Sequence, residues 1–151
     1  MRIIFFNLIK RIRKFSVWLW NQEGSPSQRA LGFALGLFSG SFPFFGFQTL
    51  MGVFLARIFK GNRIFAAIGT WISNPFTYVP LYYFNYRVGS FLLNGDQNIV
   101  DLPPISTHEL WFQGWYLSSR LLIGSICVGL LTGIFGGFCL YFPLKKFSKT
   151  I

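Results

Sequence analysis

Two long stretches of the chain are almost continuously hydrophobic, and each is interrupted near its middle by proline and polar residues. The first, residues 31–59, is broken at Pro43-Phe44-Phe45-Gly46-Phe47-Gln48-Thr49. The second, residues 64–93, is broken at Ser73-Asn74-Pro75-Phe76-Thr77-Tyr78-Val79-Pro80. Proline removes a backbone donor and clashes with the preceding helical turn, so a helix ends or kinks there. We therefore predict two broken helical stretches, joined by a turn at Lys60-Gly61-Asn62.

Other elements flank these stretches. Residues 1–24 carry polar and apolar stripes at helical spacing, which predicts a basic amphipathic helix in a membrane interface, or alternatively a solvated helix docked on the protein. Ser25-Pro26 supplies an N-cap and a first-turn proline for the next helix. Residues 94–117 read as a polar loop and 143–151 as a basic tail. Residues 118–142 are long enough to cross about 30 Å of hydrocarbon.

The predicted fold is therefore an all-α integral membrane protein in which residues 25–151 form a single membrane domain. Composition agrees, because 52% of the 151 residues are hydrophobic and 12% are charged, against about 25% charged in a typical soluble domain. The net charge of +10 suits either a nucleic acid or an anionic membrane surface. The cations lie at the edges of apolar runs, which favours the membrane, and we expect no nucleic-acid partner.

The charge distribution also predicts an orientation. Basic clusters lie at the N-terminus, at residues 57–63 and in the C-terminal tail, whereas the 94–117 loop carries acidic residues and no Lys or Arg. Cytoplasmic loops are enriched in Lys and Arg, so we expect both termini to be cytoplasmic. The 31–59 stretch would then begin and end on one side, as a re-entrant segment or a spanning hairpin. The 64–93 stretch would cross once.

Glycines recur at intervals of four residues on two predicted helices. A glycine costs a soluble helix about 1 kcal/mol, but in lipid small residues let two helix backbones approach closely. We predict that the two stripes pack against each other. The predicted helix-packing glycines are Gly32, Gly36, Gly40, Gly129, Gly133 and Gly137.

Polar side chains concentrate at the two breaks. Non-helical backbone at membrane depth requires cover by protein or by a wet cavity, and paired broken helices mark midplane sites in transporters. These side chains either satisfy backbone groups freed by the breaks or line a polar groove. Arg87 either snorkels to the interface or contacts an anion. The candidate groove residues are Pro43, Gly46, Gln48, Thr49, Ser73, Asn74, Pro75, Thr77 and Arg87.

Catalytic and metal-binding patterns are largely lacking in the sequence. His108 is the only histidine, and the four carboxylates are scattered through loops. Cys127 and Cys139 lie twelve residues apart on one predicted helix, about 18 Å, which is too far for a disulfide. We expect no enzyme activity, no metal and no cofactor.

Several unusual residue clusters occur in one order between residues 25 and 142. They are Ser25-Pro26, Ala30-Leu31-Gly32-Phe33-Ala34-Leu35-Gly36, Pro43-x-x-Gly46-x-Gln48-Thr49, Gly61-Asn62, Gly69-Thr70-Trp71-x-Ser73-Asn74-Pro75-x-Thr77, Pro80 and Tyr86-Arg87-x-Gly89. On these clusters the chain resembles a family of small prokaryotic membrane domains, domain of unknown function twenty sixty-two. The resemblance implies a location in a prokaryotic plasma membrane, and it implies that both breaks are features of the family. It supplies no established activity. Some relatives look fused to glycosyltransferase domains, which implies work on lipid-linked sugars or other amphiphiles.

Two function hypotheses follow. In the first, a transporter-like or lipid-handling protein, the breaks meet near the midplane, form a polar groove and use Arg87 to attract an anionic group. In the second, a non-transporting accessory or assembly subunit, the glycine stripes and aromatic faces dock a larger membrane complex. The expected partners are the lipid bilayer, anionic headgroups at the N-terminal helix, and further copies of the chain or a larger complex.

Overall fold

The described part of the molecule is helical. A computed structural model describes residues 10, 11, 14, 17, 19, 22–44, 46–93 and 107–148. Its helices are α1 (Pro26–Gly40), α2 (Phe47–Ile58), α3 (Arg63–Gly69), α4 (Tyr78–Leu92) and α5 (Thr107–Ser148), with a 3₁₀ turn at Thr70–Ile72 after α3. The prediction of an all-α fold is confirmed for the described residues. Most of the predicted 1–24 interfacial helix lies outside the described residues, as do residues 94–106 of the loop and 149–151 of the tail.

Local sequence determines where α1 begins and ends. The Ser25 hydroxyl accepts a hydrogen bond from the Gln28 backbone N–H at 3.3 Å, and the Gln28 side chain accepts one from the Ser25 N–H at 2.8 Å. This capping box, with Pro26 in the first turn, satisfies N–H groups that a helix start leaves without partners. After Gly40 the chain turns through Gly46, whose φ of 78° favours glycine.

Helices α1, α2 and α3 form a short bundle. Gly32 and Gly36 of α1 lie against the backbone of Asn62 and Ala66, so α1 and α3 run parallel. Gly52 of α2 lies beside Gly36, and the α2–α3 turn returns to the level of Gly32, so α2 runs antiparallel to both. Each pair approaches closely because a glycine lies at the contact.

The glycine stripe of α1 therefore faces α3, whereas we predicted that it would face the stripe of the C-terminal helix. Helix α5 contacts a neighbouring face of α1. Gly129 lies against Phe38 there, and Gly133 and Gly137 lie against Ala34. Helix α1 carries small residues on two faces, and one face contacts α3 while the other contacts α5. Glycine at every fourth position therefore indicates a close helix contact but does not identify the partner helix.

Helix α4 lies on the opposite side of the breaks from this bundle. It packs antiparallel to α5, with Gly89 against the Arg120 backbone and Gly124 against the Asn85 backbone. The second break ends earlier than predicted, because Pro80 lies inside the first turn of α4. A helix tolerates proline in its first turn, since the N–H groups there have no partner within the helix.

Helix α5 runs alongside both α1 and α4, which follow one another along its length. Gly89 of α4 lies against Arg120, and Ser27 of α1 lines a groove with Tyr141, so the flanking part of α5 is about 32 Å long at 1.5 Å per residue. Within the described residues, Gly114–Lys146 is the one helix long and apolar enough to cross a membrane, by length and composition. Helix α5 begins at Thr107 and ends at Ser148, so it is longer than the predicted 118–142 helix and the preceding loop is shorter.

Candidate functional site

The C-terminal end of α1 is closed by side chains of α4. A helix end leaves carbonyl oxygens without partners inside the helix. Two donors from α4 reach carbonyls just beyond α1: Asn85 Nδ2 donates to the Ser41 carbonyl at 2.8 Å, and the Tyr82 hydroxyl donates to the Phe42 carbonyl at 3.1 Å. The first break is therefore held by the helix that follows the second break.

Asn85 joins three helical segments at this level. Its side chain is fully buried, and its Nδ2 also donates to Ser125 Oγ of α5 at 3.0 Å. Ser125 is fully buried as well. Asn85 was not among the predicted site residues. The signal that could have found it is an amide inside the apolar run of α4, where a buried polar group requires hydrogen-bond partners.

The two breaks contact each other directly. Ser73 Oγ donates to Gln48 Oε1 at 2.8 Å, and both side chains are buried. The hydroxyls of Thr49 and Thr70 lie 3.0 Å apart. The start of α2 and the end of the 3₁₀ turn are thereby tied together through polar side chains.

The second break is also held by its own side chains. Asn74 Oδ1 accepts hydrogen bonds from the N–H groups of Phe76 and Thr77 at 3.0 and 3.2 Å. Thr77 Oγ1 donates to the Ile72 carbonyl at 2.7 Å and accepts from the Asn74 N–H at 2.9 Å. These bonds replace the helical ones that the break removes, as Asn and Thr side chains commonly do in turns.

The remaining predicted groove residues lie elsewhere. Pro43 is half-buried, while Pro75 and Gly46 are exposed. Arg87 is exposed and lies ten residues beyond Thr77, about 15 Å along α4. The structure thus brings the polar side chains of the two breaks together and leaves Arg87 apart from them. That these side chains line a groove stays a prediction.

A second polar cluster, which sequence reasoning missed, lies farther along the α4–α5 contact. Arg120 is only 8% exposed, and its guanidinium carbon lies 3.0 Å from the centroid of the Tyr116 ring. Its Nη1 donates to the Tyr116 carbonyl at 3.3 Å. Ser90 follows Gly89, which lies against the Arg120 backbone. Arg120 Nε, the Tyr116 hydroxyl and Ser90 Oγ are among the buried atoms with no hydrogen-bond partner within the described chain, and Asn85 Oδ1 is another. The available signal was the Tyr116-x-x-x-Arg120 spacing, which places both side chains on one helix face.

Apolar grooves run along the outside of the bundle. A groove of 660 Å³ lies beside α2 and is lined by Phe44, Phe47, Leu50, Met51 and Phe54. Another, of 440 Å³, lies between α1, α2 and α5, with Leu31, Phe38, Leu55, Phe59 and Leu130 among its lining residues. Both are lined almost entirely by hydrocarbon and aromatic groups, so they suit acyl chains better than polar solutes.

Basic residues gather at the end of the molecule where α1 begins and α5 ends. The α2–α3 turn lies at the level of Gly32, and the end of α5 continues past Gly137 in the same direction. This end carries Arg57, Lys60, Arg63, Lys145 and Lys146. Among the described residues, no group of three His, Cys, Asp or Glu side chains is placed to hold a metal ion.

Comparison with known sequences connects the chain to one family. The family model described as "Uncharacterized protein conserved in bacteria (DUF2062)" matches residues 9–150. No curated protein and no solved structure matches the chain.

Proposed function

The chain belongs to this bacterial family, DUF2062, and we propose that it is an integral membrane protein that binds and handles lipids or other amphiphiles. The observation that carries the proposal is the exposed apolar surface of α5. Only 33% of its most apolar window is buried, whereas the core helix of a soluble protein is mostly buried. Leu131, Phe135 and Phe142 are 65–73% exposed, a surface that lipid accepts and water disfavours.

Helix lengths support a re-entrant α1–α2 segment over a spanning hairpin. Helix α1 has 15 residues and α2 has 12, whereas a transmembrane helix needs about 20. Each therefore reaches only part of the way through about 30 Å of hydrocarbon. In this arrangement α3 and α4 together cross once as a broken helix, and α5 crosses back.

The orientation follows from the basic end of the molecule. The cations of the α2–α3 turn and of the end of α5 lie at one end, and the start of α1 lies there too. Under the positive-inside tendency, this end faces the cytoplasm. Both termini would then be cytoplasmic in the plasma membrane.

Lipid handling fits the geometry better than passage of a polar solute through one copy. The polar side chains at the breaks are engaged with one another and with backbone groups, which supports a structural role for them. The grooves beside α2 and α5 are apolar and open at the outside of the bundle. Acyl chains are the ligands that such surfaces suit.

A second candidate is an accessory subunit of a larger membrane complex. The exposed side chains of α2 favour it, because Phe47, Leu50, Phe54 and Ile58 form one apolar stripe that is 55–68% exposed. A half-length helix with such a face suits contact with another membrane helix. Co-purification in mild detergent with a stoichiometric larger complex would favour this candidate over lipid handling.

Washing membranes with alkaline carbonate tests the membrane placement. Scrambling of a fluorescent phospholipid in liposomes tests lipid handling. We expect the protein to stay in the washed membranes. Leu50→Gln and Phe54→Gln, in the groove beside α2, should lower the scrambling rate, whereas Phe76→Gln, at a more exposed apolar position outside the groove, should not. Release by carbonate would refute the membrane placement, and equal rates for all variants would refute the groove.

A further inference from the structure

We propose that Arg120, Ser90 and Tyr116 form a binding site for the phosphate group of a lipid headgroup. The site lies between α4 and α5, separate from the breaks. The inference rests on the proposed membrane placement and deepens it by naming the chemical group that is bound.

The unpartnered groups of this cluster share one chemical property. Arg120 Nε can only donate a hydrogen bond, and the hydroxyls of Ser90 and Tyr116 can each donate one. All three are buried without a partner among the described residues. A buried donor without an acceptor is costly, and three together indicate that the missing component is an acceptor.

The charge of Arg120 specifies what kind of acceptor is missing. A guanidinium keeps its charge under all physiological conditions, and a buried charge is strongly unfavourable unless it is paired. Among the residues whose side chains the structure describes, Glu23 is the one carboxylate. It lies at the basic end, far from Arg120. The planar guanidinium presents parallel donors that match a phosphate, so an anionic phosphate would supply both the charge and the acceptor oxygens.

The height of Arg120 along α5 points to a lipid headgroup. Arg120 and Lys145 are 25 residues apart on one continuous helix, about 37 Å at 1.5 Å per residue. A bilayer including its headgroup regions is about 40–45 Å thick. With Lys145 at the cytoplasmic surface, Arg120 therefore reaches the headgroup region of the opposite leaflet.

Arg87 provides a matched control for the charge. It lies on α4 within one turn of Ser90, but its side chain is exposed. Loss of Arg87 removes the same charge from the same end of the molecule without removing a buried donor. A specific site should depend strongly on Arg120 and weakly on Arg87.

A binding assay with delipidated protein in detergent tests this site. The ligands are phosphatidylglycerol, diacylglycerol and inorganic phosphate, and native mass spectrometry counts the bound molecules. We expect the wild type to prefer phosphatidylglycerol over diacylglycerol. Because a hydrogen bond to a charged group contributes more than a neutral one, Arg120→Gln should weaken phosphatidylglycerol binding about tenfold or more, and Arg87→Gln by about threefold or less. Competition by millimolar inorganic phosphate would show that the phosphate group itself is recognised.

Two milder variants test the site even if Arg120→Gln does not fold. Tyr116→Phe and Ser90→Ala each delete one unpartnered hydroxyl, and each should weaken binding about threefold while circular dichroism and gel filtration stay unchanged. Equal phosphatidylglycerol affinity in the wild type and Arg120→Gln would overturn the proposal. This is the result expected if a carboxylate of the chain pairs with Arg120. Equal binding of diacylglycerol would overturn it too. Protein that resists carbonate but lacks the lipid preference refutes this site alone, whereas protein released by carbonate refutes the membrane placement.

Discussion

The two polar regions of the molecule differ in whether their hydrogen-bonding groups have partners. At the breaks, Gln48 bonds Ser73, and Asn74 and Thr77 bond the backbone of their own turn. The buried atom there without a partner among the described residues is an acceptor, Asn85 Oδ1. In the Arg120 cluster, three buried donors lack partners in the described chain. A break in a helix is therefore weaker evidence for a ligand than a buried donor left unpaired in regular helix.

The physical reason is the demand of the backbone. A break frees N–H and C=O groups that must find partners at membrane depth, and nearby polar side chains supply them. A regular helix satisfies its own backbone, so a buried polar side chain in it must find a partner elsewhere. Asn85 finds one in the Ser41 carbonyl of the first break, whereas Arg120 Nε finds none in the described chain.

Gly124→Ala should have the largest effect, because it forces apart the two helices that form the Arg120 cluster. A methyl group on Gly124 would lie 1.7 Å from the Asn85 carbonyl oxygen, so the backbones must separate. We expect a loss of about 3 kcal/mol in the free energy of unfolding, measured by thermal or denaturant unfolding in mixed micelles.

Gly114→Ala is the control, since it lies on the same helix with nothing within 4 Å of the added methyl group. It should be neutral or stabilise the protein by up to about 1 kcal/mol. Similar unfolding of Gly124→Ala and the wild type would mean that α4 and α5 are not in close contact.

Gln48→Ala should have the next largest effect, because it removes the buried acceptor of the Ser73 hydroxyl. We expect a cost of about 2 kcal/mol in the free energy of unfolding. The substitution removes this bond and the 3.5 Å bond from Gln48 Nε2 to the Ser73 carbonyl, and it leaves the Ser73 hydroxyl with the longer bond to the Thr70 carbonyl at 3.3 Å. Thr49→Ala should cost less than about 0.5 kcal/mol, because Thr49 is exposed and Thr70 also donates to the Ala67 carbonyl. Equal costs would show that the break junction is not the tight polar contact described above.

The sequence predicted the helices and both breaks well, because proline, glycine and capping residues act locally. Ser25-Pro26 starts α1, and the Lys60-Gly61-Asn62 turn directly precedes α3, as predicted. It did not predict which helices would touch. A glycine at every fourth position opens a helix face, but the partner depends on chain topology, and Gly32 and Gly36 meet α3 instead of α5.

The polar clusters were harder to predict for a related reason. Polar residues near a proline are readily chosen as candidate site residues from the sequence. Asn85, Ser90 and Arg120 instead lie in regular apolar helices, and they are buried only because α4 packs against α5. Arg120 also lies near the start of an apolar run, where snorkelling is the ordinary interpretation of an arginine. Its burial depends on packing that the sequence does not display.

Gly46→Ala should have a smaller effect confined to the first break. Gly46 has a φ of 78°, yet an added methyl group would meet no atom within 4 Å. The cost is therefore conformational alone, about 1 kcal/mol. A stability equal to that of the wild type would show that the first break does not hold this backbone conformation.

Arg120→Met should have the smallest effect on stability, in contrast to Gln48→Ala. Replacing an unpaired buried charge with an apolar side chain of similar length is often neutral or stabilising. We expect a change within about 1 kcal/mol in lipid-free detergent, together with loss of the stabilisation that phosphatidylglycerol gives the wild type. A large loss of stability without lipid would mean that Arg120 already has an anionic partner within the chain.

Cysteine accessibility tests the membrane arrangement most directly. With Cys127 and Cys139 replaced by alanine, single cysteines are introduced at Phe44, Lys60, Leu93 and Lys145 and treated with a membrane-impermeant maleimide from each side. We predict that Lys60→Cys and Lys145→Cys react from the cytoplasmic side, Leu93→Cys from the outside, and Phe44→Cys from neither. Reaction of positions 60 and 145 from opposite sides, or of position 44 from the outside, would contradict the re-entrant arrangement.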